Sequence, residues 1–196
     1  PGIPVVAEEE CAANGVPSAA PDRFFLVDPL DGTKEFIAKN GEFTVNIALI
    51  EHGRPVLGVV YLPAFDTCYA GAGGVAERRV GDDGPERINA RPKPDDGLVM
   101  AISRSHADGE VARAKERGLN VTGTIVAGSS LKFCRVAEGL ADLYPRFGTT
   151  MEWDTAAGQA VLEAAGGAVE TVSGEPLRYG KAGFQNPHFI AYGRRG

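Results

Sequence analysis

At 196 residues, with 43% hydrophobic and 23% charged side chains, the chain is long enough for a real hydrophobic core and sits at the average for globular domains, so composition selects no function. The formal net charge is −6 and Arg78-Arg79 and Arg194-Arg195 are the only basic doublets, which argues against a nucleic-acid-binding stripe. Cys11, Cys68 and Cys134 are widely spaced without a CxxC pattern, suggesting neither a disulfide framework nor a zinc site. No apolar run approaches the ~18 residues of a membrane span and no signal segment opens the chain. The expectation is a cytoplasmic protein, with peripheral membrane association left open and no integral membrane segment; sequence does not set its oligomeric state.

The chain opens on Pro1 and runs at once into an apolar, strand-like stretch, 3–7, followed by Glu8-Glu9-Glu10. This start leads to the expectation that further N-terminal residues precede it in the natural protein. Residues 24–27 form a short apolar run closed by Asp28-Pro29, and 34–39 is helix-compatible. Residues 43–50 and 56–62 read as strands joined at His52-Gly53, and 68–72 and 75–80 as a further hairpin around Gly73-Gly74. The simplest reading of this half is an antiparallel sheet.

A Pro- and Asp-rich stretch, 91–97, then marks a boundary between a unit at 1–96 and a unit at 97–196. Beyond it strands and helices alternate: strand 98–102, helix 108–117, strand 124–127, a helix opening at Gly128-Ser129-Ser130, a helix from Trp153-Asp154 to Ala165, and strand 168–172. There is no internal repeat.

The strongest chemical signal is Asp28-Pro29-Leu30-Asp31-Gly32-Thr33. Two carboxylates three residues apart across a proline turn can converge on one cation, while Gly32 and Thr33 offer backbone N–H groups to a phosphate oxygen. The bland alternative is an Asp-Pro turn with a capping aspartate. Aspartyl-phosphate phosphatases of the haloacid dehalogenase type place one residue between their acids; here Pro29 and Leu30 intervene, which disfavours covalent catalysis by Asp28. Two weaker signals accompany the hexapeptide. Asp154, in Trp153-Asp154-Thr155-Ala156-Ala157-Gly158, reads alone as a helix N-cap, and Glu8 to Glu10 reads alone as a solvated charge run. An acidic protein that handles phosphate has a repulsion to overcome, which divalent cations relieve.

Together, Glu8-Glu9, the Asp28 hexapeptide and the distant Trp153 hexapeptide resemble the inositol monophosphatase superfamily, whose members hydrolyse phosphomonoesters with two or three magnesium ions. Longer stretches, residues 28–36, 40–50, 103–106, 128–132 and 143–148, resemble its CysQ-type 3′(2′),5′-bisphosphate nucleotidases. The resemblance implies an α+β fold, the layered α/β/α/β/α sandwich of the superfamily without its first helical layer, with the site between the two units. It implies magnesium-dependent hydrolysis of 3′-phosphoadenosine 5′-phosphate, a small nucleotide bisphosphate, to AMP and phosphate. It further implies that Glu8, Asp28, Asp31, Asp154 and the carbonyl of Leu30 ligate metal, with Glu8, Asp28 and Thr33 taking part in catalysis. Asp31, Gly32, Thr33, Ser103, His106, Gly128, Lys132 and Asp154 would bind substrate, with Arg146 as a further phosphate partner. An inositol monophosphatase is the nearest alternative, and a non-catalytic metal-binding domain the alternative of another class.

Overall fold

The computed structural model describes residues 2–104 and 107–194, without the side chains of Ala107 and Asp108. Seven strands form the first sheet in chain order: β1 (Val5–Ala7), β2 (Arg23–Asp31), β3 (Thr44–Glu51), β4 (Arg54–Leu62), β5 (Thr67–Ala72), β6 (Val75–Val80) and β7 (Glu86–Ile88). The sheet is antiparallel except at one edge, where β1 pairs parallel to β2 through the crossover helix α1 (Glu8–Asn14). The fully antiparallel reading therefore needs this one correction, since a helix between paired strands lets them run the same way.

The period of two along β2 and β3 decides what reaches the core. On β2 the inward row is Phe24, Leu26 and then Asp28; on β3 it is Thr44, Asn46, Ala48 and Ile50. Both rows turn from apolar to polar at the same end of the sheet, because the register pairs Asp28 with Asn46 and Asp31 with Thr44 across a bulge. Alternation thus carries a carboxylate into a position that is only 1% exposed.

The second sheet holds β8 (Leu98–Ile102), β9 (Val121–Val126), β10 (Leu143–Arg146), β11 (Ala168–Thr171) and β12 (Phe189–Tyr192), in the order β11-β12-β10-β8-β9. Helix α4 (Leu131–Ala137) packs on this sheet and α5 (Ala156–Ala164) on the first, the two helices meeting in a layer between the sheets, while α3 (Ala107–Glu116) lies against β8, β9 and β10. Sheet, helix pair, sheet and helix follow one another as expected for an α+β layered sandwich. The approach of α5 to the first sheet depends on small residues: a Cβ on Gly58 would stand 2.3 Å from the carbonyl oxygen of Ala157, and one on Gly71 would stand 2.5 Å from Cα of Val161. On the opposite face of the first sheet Ile47 and Leu57 remain 38% and 37% exposed. Among the described residues no helix is long and apolar enough to cross a membrane.

Candidate active site

The end of β2 and the residues after it, 31–35, form one wall of a cleft of about 260 Å³, and the turn before α4, the end of β10 and the turn leading into α5 form the other. Asp31, Gly32 and Thr33 line it from the first sheet; Ser103, Ser129, Lys132, Arg146 and Asp154 line it from the second half. The Asp28 carboxylate lies just behind, where Oδ1 accepts the backbone N–H of Leu30 at 2.9 Å and so fixes the turn over Pro29.

Asp31 is the hub. Its Oδ2 accepts the backbone N–H of Ser130 at 2.8 Å and the side chains of Thr44 and Asn46, each at 3.3 Å, while its carbonyl accepts the Ser129 hydroxyl at 3.0 Å. Ser130 in turn donates its hydroxyl to the Asp154 carbonyl at 2.7 Å, and Asp154 Oδ2 accepts the N–H of Met151 at 2.9 Å. Two acids far apart in sequence, Asp31 and Asp154, are thereby carried on one connected hydrogen-bond frame. Gly32 has φ of 88°, and a Cβ there would fall 1.9 Å from Oγ of Ser129, so both backbone conformation and space require glycine. The five-residue helix α2 (Thr33–Ile37) then begins, leaving the Thr33 side chain exposed at the cleft.

Burial, reinforced at Asp28 and Asp154 by neighbouring carboxylates, dominates the electrostatics. Burial, Asp31 and Glu8 push the Asp28 carboxyl up to about 9, and Glu8 also shares a hydrogen bond with it. Burial and then Asp31 push Asp154 up to about 7. Burial raises Asp31 as well, against the opposing pull of the Lys132 ammonium and the Ser130 N–H. Lys132 is itself buried, which lowers its pKa; its Nζ donates to the carbonyls of Ser129 at 2.8 Å and Ala127 at 3.4 Å and stands 5.1 Å from the centre of the Tyr144 ring.

Such a set suits a hard divalent cation. The donors are carboxylate oxygens whose mutual repulsion a cation would relieve, and the buried Oδ1 of Asn46, next to Asp31, has no hydrogen-bond partner. Among the described residues no three His, Cys, Asp or Glu side chains stand close enough to enclose an ion unaided.

Residues 1–191 match the model of the inositol monophosphatase family. The chain belongs to the inositol monophosphatase family. It is 50% identical over 194 residues to a 3′(2′),5′-bisphosphate nucleotidase CysQ of Shigella flexneri, and 50% identical over 192 residues to that of Escherichia coli K12, each match covering 96% of this chain and 75% of the relative. The crystal structure of CysQ from Bacteroides thetaiotaomicron superimposes with a TM-score of 0.82 at 41% identity, covering all of this chain and 79% of that one. Inositol monophosphatase family members are metal-dependent phosphatases, in keeping with the carboxylate cleft.

Among the expected site residues, Asp31, Gly32, Thr33, Ser103, Lys132 and Asp154 come together around the cleft, with Asp28 and Leu30 behind them and Glu8 close enough to raise both Asp28 and Asp154. His106 lies outside the described residues. A Cβ on Gly128 would meet Cγ of Glu35 at 2.7 Å and Cβ of Glu42 at 3.0 Å, so its missing side chain admits neighbouring protein. Sequence reasoning gave no role to Ser129 or Tyr144, although both fall within quoted motifs and line the cleft. Tyr144 carries its ring beneath the Lys132 ammonium.

Proposed function

We propose that this chain hydrolyses the 3′-phosphate of 3′-phosphoadenosine 5′-phosphate, releasing AMP and phosphate, in a reaction that uses two or three magnesium ions. The observation that carries the reading is the convergence of Asp31 and Asp154 on one cleft that also holds a buried lysine, with the Asp28 carboxylate buried next to Asp31. Identity of 50% to proteins named as bisphosphate nucleotidases supports the choice of substrate. The units at 1–96 and 97–196 supply the two walls.

Glu8, Asp28, Asp31, Asp154 and the Leu30 carbonyl would hold the metal. When bound, magnesium would neutralise carboxylate and phosphate together, acidify a water for in-line attack and stabilise the leaving 3′-oxygen. The protein's own groups do the rest. The frame around Asp31 keeps the acids in place before substrate arrives, avoiding reorganisation during the reaction. The Thr33 hydroxyl orients the attacking water from the cleft rim, with Glu8 and Asp28 setting the charge around it. Lys132 and Arg146 supply positive charge for the phosphates, while Ser103, Gly128 and His106 belong to the wall that receives the nucleotide. No phosphoenzyme forms, because Pro29 and Leu30 both separate Asp28 from Asp31 and displace Asp28 from the position of a nucleophilic aspartate.

Phosphate release from 3′-phosphoadenosine 5′-phosphate, followed as magnesium is titrated in, tests this reading. Release saturating with magnesium and reduced at least ~100-fold by Asp31→Asn is expected. Undiminished release in EDTA would overturn it.

A further inference from the structure

Two strands of the second sheet end at the cleft: β8 runs on into Ser103 and Arg104, and β9 into Ala127 and Gly128. One carboxylate from the opposite wall holds both ends. Glu42, in the loop before β3, accepts Arg104 Nη1 on Oε2 at 2.5 Å and Arg104 Nη2 on Oε1 at 3.0 Å, and its Oε2 also accepts the Gly128 N–H at 2.8 Å. These partners are 62 and 86 residues away in sequence, and the Glu42 side chain is only 16% exposed. The loop beneath it is pinned by Asn40, whose Oδ1 accepts the Glu42 N–H at 2.9 Å.

The residues beside the clasp are those that meet the ligand space. Ser103 precedes Arg104, Ser129 follows Gly128, and both line the cleft. Ser129 stands at φ of 45°, a conformation disfavoured for a residue with a side chain, and its carbonyl takes the Lys132 ammonium at 2.8 Å. Holding such a turn requires contacts on both sides of it. The bonds to Asp31 supply one side and the Glu42 bond to Gly128 the other.

We infer that Glu42 is a positioning residue for substrate recognition: by clasping Arg104 and Gly128 it sets Ser103, Ser129 and Lys132 at the spacing the nucleotide needs, without touching the nucleotide itself. The identity of the ligand rests on the nucleotidase reading above. Among the described residues neither Glu42 nor Arg104 bonds to Asp28, Asp31 or Asp154, which are held by Glu8, Leu30, Thr44, Asn46, Ser130 and Met151. Ser130, on the clasped turn, is only one of three groups donating to the Asp31 carboxylate, so loss of the clasp falls mainly on substrate affinity and much less on the chemical step.

Three variants separate its parts. Glu42→Gln keeps an acceptor for Gly128 and loses the ion pair. Arg104→Gln removes the same pair from a side chain that is 47% exposed, with little consequence for folding. The exchange of Glu42→Arg with Arg104→Glu remakes an ion pair but leaves Gly128 without its acceptor. Steady-state kinetics at saturating magnesium on 3′-phosphoadenosine 5′-phosphate and on p-nitrophenyl phosphate, with melting temperatures alongside, read the outcome. Expected are a KM for the nucleotide raised about tenfold in both single variants, kcat within about twofold, and near-constant kinetics on the small ester. The exchange should stay at least as impaired as either single variant. Unchanged nucleotide KM, equal losses on both esters, or full recovery in the exchange would overturn the clasp. An unsubstituted chain that prefers inositol 1-phosphate would sink the nucleotide reading instead, and the same KM-against-kcat split on that ester would then decide the role of Glu42.

Discussion

Replacing Asp28 by asparagine should abolish activity and yet stabilise the metal-free protein. The folded pKa of Asp28, about 9, lies far above the ordinary carboxylate value of 3.8 because the group is buried beside Asp31 and Glu8. A folded pKa above the unfolded one means that stability is fully present below pH ~4 and drains away as pH rises toward the folded value. Across that window the folded state binds a proton that the unfolded state has lost, so each pH unit removes up to ~1.4 kcal/mol. Between pH 5.5 and 7.5 the loss is therefore ~3 kcal/mol from Asp28, or roughly 6–12 °C in melting temperature for a chain of this size. Asparagine is nearly isosteric, still accepts the Leu30 N–H, and offers an NH₂ to the acids around it. Thermal unfolding in EDTA at the two pH values checks the reasoning. The unsubstituted chain should melt lower at pH 7.5, Asp28→Asn should lose the ~3 kcal/mol share of that slope while Asp154, at about 7, keeps the remainder, and excess magnesium should restore the unsubstituted chain alone. An equal slope in both proteins would refute the assignment of the strain to Asp28.

Other outcomes follow from particular contacts. Lys132→Met should raise the nucleotide KM at least about tenfold, because a buried point charge in the cleft is lost; inhibition by AMP, weakened in parallel, checks the same site. Gly58→Ala should lower stability by ~1–3 kcal/mol in urea, since its Cβ would drive into the Ala157 carbonyl unless α5 moves. Glu152→Ala should cost ~3–5 kcal/mol without touching the cleft, because the buried Glu152 carboxylate pairs with the Lys181 ammonium at 2.6 Å and accepts the N–H groups of Gly180 and Lys181. Urea midpoints measured beside kcat would separate that structural loss from a catalytic one.

Much of the first sheet was legible in the sequence, because β2 to β6 alternate apolar and polar residues between turn signals, and the expected strands agree to within a few residues. The second sheet was half legible. Strands β10 and β12 are four residues each; β10 contains Pro145, and its pairing parallel to β8 and antiparallel to β12 is set by contacts distant in sequence. The helix expected from Trp153 divides into a 3-10 turn at Glu152–Asp154 and α5 from Ala156, because the Asp154 carboxylate turns back to the Met151 N–H. At the site, Asp28 to Thr33 announced itself through spacing, whereas Glu8 and Asp154 were visible only through family resemblance, each having an ordinary explanation alone. The Glu42 clasp left no local signal, since neither partner lies within 60 residues of it. Gly128 was legible as a close approach, although what approaches it is Glu35 and Glu42.

The most direct test of the central claim is phosphate release from 3′-phosphoadenosine 5′-phosphate set against release from inositol 1-phosphate, in magnesium, for the unsubstituted chain and for Asp154→Asn. The account predicts clear preference for the nucleotide, lost in the variant. Preference for inositol phosphate would contradict the substrate while leaving the metal cleft intact, and no magnesium-dependent release from either ester would contradict the account as a whole.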